Sequence, residues 1–310
     1  MKISVIIPAF NESGNIIPLA TRLNEVLSEY PNRQVLFIDD GSTDNSLQIL
    51  HQLHEQDNRI GYISFSRNFG HQHALRCGID HADGDCVISM DGDLQHPPEL
   101  IPEMIKKWQE GFDIVYTQRT EEQGIGIFKK ITSALFYKLM NYLSDVTIEP
   151  GTADFRLLDA QVANVIRNSH EQGLFVRGFI SWMGFRQYKI TYSAAPRHSG
   201  STKYSFRKML SFALNGITSF SIKPLRFSII AGTLISALAF VYAMYAVMLY
   251  LFYPEKAVPG WASVLVSVLF IGGIQLLFLG VLGEYLGKLF MQAKQRPGYI
   301  IKESSIHAKS

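Results

Sequence analysis

Short apolar runs alternate with stretches of helical periodicity through the first 120 residues. Ile3 to Ile7 is apolar and β-branched, a pattern typical of a strand buried on both faces of a sheet. Asn15 to Tyr30 then spaces its apolar residues three and four apart, which predicts an amphipathic helix. The alternation predicts an α/β fold with a mostly parallel sheet and helices on both faces. Further strands are predicted at residues 34–38, 60–65, 86–90 and 112–116, with the fourth helix beginning at Pro97 and Pro98.

Beyond residue 117 the pattern loosens and then becomes strongly apolar. Residues 118–154 are less regular, a helix is predicted at 160–168, and residues 186–192 have a strand pattern. Leu225–Tyr253 and Trp261–Phe290 are both longer than the roughly 20 apolar residues that a membrane-spanning helix needs. Lysine and arginine flank this pair on both sides, which places both flanks in the cytoplasm by the positive-inside rule. The spacing in residues 205–220 predicts an amphipathic helix, which would either lie in the membrane interface or pack as an ordinary surface helix.

Composition narrows the class of protein only a little. The formal net charge of +2 does not indicate a nucleic-acid-binding protein. Cys77 and Cys86 have no metal-ligand spacing and are interpreted as small buried hydrophobes in a reducing compartment. The apolar run at the N-terminus is too short for a signal-peptide core, so we expect the N-terminal domain to remain in the cytoplasm.

Acidic side chains follow three of the predicted strands. Asp91-Gly92-Asp93 comes directly after the fourth strand, Asp39-Asp40 after the second, and Pro8-Ala9-Phe10-Asn11-Glu12 after the first. Ligands of parallel sheets bind at the carboxyl ends of the strands, where these segments would meet. One aspartate could hold Mg²⁺ and another a ribose hydroxyl. Each segment alone could equally be a solvated turn or loop.

Several other catalytic classes lack their motifs. The chain has no G-x-G-x-x-G and no P-loop string, which argues against dinucleotide oxidoreductases and P-loop enzymes. It also has no G-x-S-x-G and no H-E-x-x-H.

Taken together, these strings resemble glycosyltransferase family 2, which has the GT-A fold. The matching segments are residues 5–12, 37–44 and 90–98. Ser66-Arg67-Asn68-Phe69-Gly70, Asp154-Phe155-Arg156-Leu157 and the paired apolar stretches are similar to the polyprenyl-phosphate group of that family, and within it to bactoprenol glucosyltransferases rather than dolichyl-phosphate mannose synthases. A Q-x-x-R-W string, which processive polysaccharide synthases of the family carry, is absent from the sequence.

The resemblance implies a role for each matching residue. The nucleotide sugar would contact Pro8, Phe10, Glu12, Ile38, Asp40, Asp91, Gly92 and Gln95. Asp93, with Asp91, would hold Mg²⁺ or Mn²⁺ at the diphosphate, and Arg119 would approach the diphosphate or the acceptor phosphate. The lipid phosphate would contact Lys129, Lys130, Arg197 and Lys203, which could also be solvated surface charges. Asp154 would orient a substrate, act as a base, or only pair with Arg156.

The resemblance also implies an organisation and a reaction. Residues 1–204 would be a cytoplasmic GT-A domain, 205–222 a juxtamembrane helix, 223–290 a transmembrane hairpin and 291–310 a cytoplasmic tail, in a multi-pass protein of the bacterial inner membrane. The expected reaction is inverting transfer of one sugar, glucose or N-acetylglucosamine, from a UDP-linked donor to undecaprenyl phosphate. Expected partners are the nucleotide sugar, polyprenyl phosphate, the lipid membrane, a flippase and further copies of the chain, with no nucleic acid.

Three alternatives remain open. The chain could be a GDP-mannose-dependent polyprenyl-phosphate mannose synthase. It could extend a polysaccharide, which the absent Q-x-x-R-W string and the two spans disfavour. It could also be a non-catalytic nucleotide-sugar-binding partner of a flippase, which the intact Asp91 and Asp93 disfavour.

Overall fold

The computed structural model describes residues 1–120, 142, 151–169, 171, 176–193, 221–252 and 260–306. These residues divide into two units. The first contains the described residues up to 193 except Tyr142, together with 295–306. The second contains Tyr142 and the described residues between 221 and 294. The helices are α1 Ser13–Val26, α2 Ser46–Gln56, α3 His71–His81, α4 Ile101–Gln109, α5 Ala160–Arg167, α6 Val176–Trp182, α7 Lys223–Phe252 and α8 Trp261–Ala293.

An eight-stranded sheet forms the centre of the first unit. Its strands are β1 Ile3–Ala9, β2 Arg33–Asp39, β3 Ile60–Phe65, β4 Cys86–Ser89, β5 Ile114–Arg119, β6 Thr152–Asp159, β7 Gln187–Tyr192 and β8 Ile301–Ser304. They lie in the order β7-β5-β6-β4-β1-β2-β3-β8. Only β6 and β8 run against the others among these strands, so the expected mostly parallel α/β sheet is confirmed.

Strand β1 shows why the sheet is covered on both faces. All seven of its residues are buried. Ile3, Val5 and Ile7 belong to the core cluster that includes the apolar side of α1, whereas Ile6 faces α3. There Gly78 lies so close that a Cβ on it would be 2.9 Å from the Cβ of Ile6. Successive side chains of a strand point to opposite faces, so a uniformly apolar strand requires a helical layer on each side.

Several element boundaries differ from those expected. Pro98–Leu100 is a 3₁₀ turn, and α4 begins only at Ile101. Strand β5 was expected at residues 112–116 but lies at Ile114–Arg119, because β7 pairs with it as far as Arg119 and Tyr192. The irregular segment 118–154 ends inside β6, which begins at Thr152. The expected tail contains β8, which pairs antiparallel with β3.

The second unit contains two long apolar helices, α7 of 30 residues and α8 of 33 residues. By length and composition alone, Lys223–Tyr242 and Phe270–Ala293 could each cross a membrane. Most of their described apolar side chains are exposed, for example Leu238 at 71% and Leu276 at 70%. The hydroxyl of Tyr285 donates to the carbonyl of Ser221 at 2.6 Å within this unit. The amphipathic segment 205–220 lies outside the described residues.

The two cysteines are buried, as interpreted from the sequence. Cys77 and Cys86 have no exposed surface and form no disulfide in the described part of the chain. Burial raises the pKa of the Cys86 thiol to about 12 and raises that of Cys77 as well. Thiols with such pKa values are poor nucleophiles at neutral pH, so both side chains serve the core.

Candidate active site

A cavity of about 540 Å³ opens at the carboxyl edge of the sheet in the first unit. Strands β1, β2 and β4 end beside it. The chain places β2 on one side of β1 and β4 on the other, so the strand order reverses at this point. Open α/β sheets bind ligands in the crevice at such a point. The residues predicted from sequence that line it are Pro8, Phe10, Glu12, Asp40, Asp91, Gly92, Asp93, Gln95, Arg119 and Asp154.

The loop after β1 holds its shape through hydrogen bonds to the loop after β2. Asn11 has a positive φ of 56°, and its backbone N–H donates to the Ser42 hydroxyl at 2.9 Å. The N–H of Thr43 donates back to the Asn11 side-chain oxygen at 2.8 Å. Glu12 accepts from the side-chain amide of Asn15 at 2.5 Å. These bonds fix Phe10 and Glu12 at the cavity, although a non-glycine residue at positive φ costs conformational energy.

Asp39 and Asp40 have different functions although they are adjacent. Asp39 is buried and accepts from the Ser64 hydroxyl at 2.7 Å and from the Ser42 N–H at 3.0 Å. Asp40 lines the cavity and accepts from the backbone N–H groups of Phe69 at 2.6 Å and Gly70 at 2.9 Å. Burial raises the pKa of Asp40, and the two N–H bonds oppose that rise. Asp40 therefore also fixes the loop after β3 beside the cavity.

A chain of hydrogen bonds runs from Arg119 to Asp91. Arg119 Nε donates to the Tyr192 hydroxyl at 3.2 Å, and that hydroxyl lies 2.6 Å from Nδ1 of the fully buried His96. His96 Nε2 lies 2.9 Å from Oδ2 of Asp91. If His96 carries its proton on Nε2, one proton serves each contact, because Tyr192 donates to Nδ1 and Nε2 donates to the carboxylate. This series of hydrogen bonds sets the direction of the Asp91 carboxylate at the end of β4.

The turn after Asp91 is tightly held. The N–H of Gln95 donates to Oδ1 of Asp93 at 3.1 Å. Leu94 between them has a positive φ of 61° and a side chain that is 8% exposed. A leucine rarely adopts this backbone conformation, and such strain is concentrated at functional sites. The turn presents Asp93 to the cavity while Leu94 points into the core.

Asp154 reaches the site because β6 runs antiparallel to β4. Ser89, the last residue of β4, pairs with Arg156, and its hydroxyl donates to the Asp154 carbonyl at 2.6 Å. The Asp154 carboxylate lies 3.1 Å from both Arg156 and Arg177 and 3.4 Å from His71. Burial raises the pKa of Asp154, but Arg177, the His71 hydrogen bond and Arg156 outweigh it and hold the pKa well below its ordinary value.

His71, the first residue of α3, stands between two carboxylates. Its Nε2 lies 3.4 Å from Asp154 and 3.6 Å from Asp91. Burial lowers the pKa of His71, but the hydrogen bond with Asp154 and the charge of Asp91 outweigh it, so the pKa is raised to about 9. The resulting imidazolium offsets the repulsion between the two acids.

Replacing His71 with alanine is expected to lower kcat roughly tenfold to a hundredfold. The two carboxylates would then face each other without the intervening cation, and their orientation at the cavity would change. The measurement is steady-state kinetics of the sugar transfer that the family resemblance implies. His51→Ala is the matched control, because His51 has the same 42% side-chain exposure and a single carboxylate partner, Glu303, outside the cavity lining. A kcat within threefold of wild type for His71→Ala would contradict the prediction.

The oxygen ligands available at the carboxyl edge of the sheet fit a hard divalent cation only in part. Asp91 and Asp93 offer carboxylate oxygens, but one Asp91 oxygen is already bonded to His96. Among the described residues, no group of three or more His, Cys, Asp or Glu side chains could hold a metal ion. Mg²⁺ and related ions commonly take one or two protein carboxylates and complete their shell with substrate phosphates and water. The residues fit that mode, in which Asp93 would be the principal protein ligand.

The structure does not place all of the expected site residues at the cavity. Ile38 is fully buried in β2 and is not among the described residues that line it, so its expected contact with the nucleotide is not supported. Its side chain points to one face of the sheet and is covered there, so it presents no surface to the cavity. The expected lipid-phosphate ligands Lys129, Lys130, Arg197 and Lys203 lie outside the described residues.

Sequence reasoning missed four residues of the network, namely His71, His96, Arg177 and Tyr192. His96 lies within the string 90–98, and His71 directly follows the string 66–70, so proximity to these motifs was an available signal. Arg177 and Tyr192 lie far from any motif and are brought in only by α6 and by the pairing of β7 with β5.

Comparison with known proteins agrees with this geometry. A family model described as glycosyl transferase family 2 matches residues 4–166. A prophage bactoprenol glucosyl transferase homolog of Escherichia coli (strain K12) is 42% identical over 97% of this chain and 99% of that protein. An uncharacterized glycosyltransferase, YkcC, of Bacillus subtilis (strain 168) is 43% identical over 97% of this chain and 93% of that protein.

Solved structures support the fold. A mannosyltransferase from Pyrobaculum calidifontis, solved in complex with GDP-Man and Mn²⁺, has a TM-score of 0.50 at 14% identity and covers 96% of this chain and 85% of that chain. At this identity the likeness concerns the fold alone. The family match over more than half of the chain and the near-full-length relatives show that the chain belongs to glycosyl transferase family 2, with a GT-A catalytic domain.

Proposed function

We propose that the protein transfers one sugar, glucose or N-acetylglucosamine, from a UDP-linked donor to undecaprenyl phosphate with inversion at the anomeric carbon. The observation that carries the proposal is the cavity at the sheet edge, where carboxylates meet guanidinium groups within one site. Relatives named bactoprenol glucosyl transferases, 41% and 42% identical over nearly their whole length, support the lipid acceptor. The two long apolar helices support it as well.

In this proposal the nucleotide binds at the ends of β1 and β2. Phe10 would stack on the base, while Glu12 and Asp40 would accept hydrogen bonds from ribose hydroxyls or base N–H groups. All three line the cavity, and Pro8 and Gln95 lie in the same lining. The hydrogen bonds between the β1 and β2 loops hold these groups in place before the donor arrives, which lowers the entropy lost on binding.

The departing diphosphate would be stabilised at the end of β4. Mg²⁺ or Mn²⁺ held by Asp93, with Asp91 beside it, would supply positive charge to the leaving oxygens. Arg119 adds a guanidinium whose direction is set by its bond to Tyr192. Positive charge placed in advance where negative charge develops is usually the largest single contribution to such a transfer.

The acceptor needs little help from a base. A phosphate monoester is already an anion at neutral pH, and one of its oxygens would attack the anomeric carbon from the face opposite the departing diphosphate. The new bond joins the anomeric carbon to the lipid phosphate as the bond to the nucleotide diphosphate breaks. Asp154, with its depressed pKa, is a weak base, so we infer that it orients Arg177 and His71 at the cavity. Lys129, Lys130, Arg197 and Lys203 stay predicted ligands of the lipid phosphate.

We place the catalytic domain in the cytoplasm, in a multi-pass protein of the bacterial inner membrane, from the lysine and arginine residues that flank the two helices. Chain connectivity supports the multi-pass arrangement. Residues before and after the long helices belong to one sheet, since β8 pairs with β3. Both flanks must therefore lie on the same side of any membrane that the helices cross, which requires an even number of crossings. A flippase partner and a homo-oligomer remain predictions.

The test uses the purified full-length chain in liposomes that contain undecaprenyl phosphate. Radiolabelled UDP-glucose, UDP-N-acetylglucosamine and GDP-mannose are supplied separately with Mg²⁺ or Mn²⁺. We expect a labelled, mild-acid-labile lipid from a UDP-linked donor. Liposomes without undecaprenyl phosphate and reactions with EDTA are the controls, and neither should give the product.

Three other outcomes would each overturn the proposal in a different way. A lipid product from GDP-mannose alone would indicate a mannose synthase. Label in a polymer would indicate a processive synthase. Nucleotide binding without a lipid product from any donor would indicate a non-catalytic partner of another membrane protein.

A further inference from the structure

The segment that follows α8 returns to the sheet of the first unit. Residues 295–306, here called the return segment, form β8 and pair with β3. The Ser66 N–H donates to the Ile300 carbonyl at 3.0 Å, and the Ser305 N–H donates to the Tyr62 carbonyl at 3.0 Å. The return segment is therefore anchored from Tyr62 to Ser66, including the point where β3 leads into the loop beside the cavity.

Tyr299 is the side chain through which the return segment contacts the layer behind that loop. Its ring stacks on Phe65, with centroids 5.1 Å apart and planes 12° from parallel. Its hydroxyl donates to Asp80 of α3 at 3.0 Å. The preceding Gly298 lies so close to α3 that a Cβ on it would be 2.8 Å from Nδ1 of His73. Tyr299 thus joins the last residue of β3 to the helix that begins with His71.

The loop Ser66–Gly70 also contacts Phe65. The Phe69 ring meets Phe65 edge-on at 5.7 Å, and the Arg67 guanidinium lies 4.0 Å above the Phe69 ring. The N–H groups of Phe69 and Gly70 bind the Asp40 carboxylate. Asn68 and Gly70 line the cavity. A continuous path of contacts therefore leads from Tyr299 through Phe65 and Phe69 to Asp40.

The end of the loop is also held by α3, because the Gly70 carbonyl accepts from the N–H groups of His73 at 3.0 Å and Ala74 at 3.2 Å. Gly70 has a φ of 102°, and a Cβ on it would meet open space. At the opposite end, a Cβ on Gly41 would lie 2.5 Å from the Arg67 carbonyl carbon, so the loop packs closely there. The aromatic contacts behind Phe69 add a further support for the N–H groups that bind Asp40.

We propose that Tyr299 of the return segment is a positioning residue for nucleotide binding, because it holds the Ser66–Gly70 loop against Asp40. The inference rests on the proposed function only in taking the Asp40 side of the cavity as the nucleotide site. The segment after the two long helices accordingly supports the donor site from behind without lining it. Tyr299 acts on donor affinity rather than on the transfer step, since Phe65 and Phe69 separate it from the cavity.

The experiment uses the full-length chain in detergent and measures UDP binding by calorimetry in Mn²⁺, together with KM and kcat. Tyr299→Ala is expected to weaken UDP binding and raise the donor KM about fivefold to tenfold, the size expected for loss of an aromatic pair. We expect kcat to stay within threefold of wild type. Tyr299→Phe keeps the stack and should restore both values to near wild type. Tyr299→Leu provides the same test with less change in volume should Tyr299→Ala fail to fold.

Glu303→Gln is the matched control, because Glu303 lies in β8 and its charge pairs with His51, which is not among the residues that line the cavity. It should leave UDP binding and KM unchanged. Unchanged UDP binding in both Tyr299→Ala and Tyr299→Leu would overturn the inference. The inference would also be overturned if kcat and UDP affinity fell to the same extent and Tm fell with them, because that pattern indicates a structural role only. A wild-type chain that binds neither UDP nor GDP would instead overturn the proposed function.

Discussion

Asp93→Asn is expected to lower kcat for sugar transfer by about 10²-fold to 10³-fold, the usual cost of removing one electrostatic contact to the leaving group. Asparagine keeps the shape of the side chain and can still accept the Gln95 N–H bond, which is 3.1 Å long in the wild type. It removes the negative charge that we propose holds the divalent cation. Activity should be measured across a titration of Mn²⁺, and the variant should recover only a small part of the loss at high concentration.

Asp85→Asn is the matched control for Asp93. Asp85 precedes the same strand, β4, at the opposite edge of the sheet, and its side chain is 60% exposed. The activity of Asp85→Asn should stay within threefold of wild type. Full activity of Asp93→Asn with unchanged Mn²⁺ dependence would show that Asp93 is not the metal ligand.

Asp154→Asn is expected to lower both the stability and the activity of the chain. Arg156 is 3% exposed, and breaking a buried ion pair by removing one partner costs about 3–5 kcal/mol of unfolding free energy. Arg177 and His71 would also lose the carboxylate that orients them at the cavity. We therefore expect a lower Tm and a fall in kcat of about 10²-fold.

A double variant separates the two effects. Asp154→Asn combined with Arg156→Gln removes the buried unpaired guanidinium, so Tm should recover in part while kcat stays low. If activity returned together with stability, Asp154 would serve only as the partner of Arg156. Trp108→Phe is a control for stability without a change at the cavity. It removes the Trp108 hydrogen bond to Asp159 at the other end of β6.

The parallel strands and their acidic ends were predictable because they depend on local pattern. A β-branched apolar run such as Ile3–Ile7 is buried on both faces wherever the sheet places it. Parallel strands share one carboxyl edge, so Glu12, Asp40 and Asp91 had to lie near one another. Ile38 was expected at the cavity but is buried and does not line it, because a motif match does not show which way a strand residue points.

The position of Asp154 could not be predicted in the same way. Its segment had no clear periodicity, and its place in the site comes from the antiparallel insertion of β6 between β4 and β5. The same holds for Tyr192, which reaches His96 because β7 extends the sheet beyond β5. Pairings between strands distant in sequence depend on tertiary packing, which a local window does not contain.

The return segment shows most clearly which features the local sequence specifies and which depend on tertiary packing. From the amino-acid sequence we identified the family resemblance, the two long apolar helices and the acidic edge of the sheet, because repeated side-chain types at short spacing specify them. The residues after α8 have no such pattern, and we expected only a tail there. Only the folded chain showed that β8 and Tyr299 lie behind the loop that binds Asp40, because contacts across more than 200 residues depend on the whole sheet being formed.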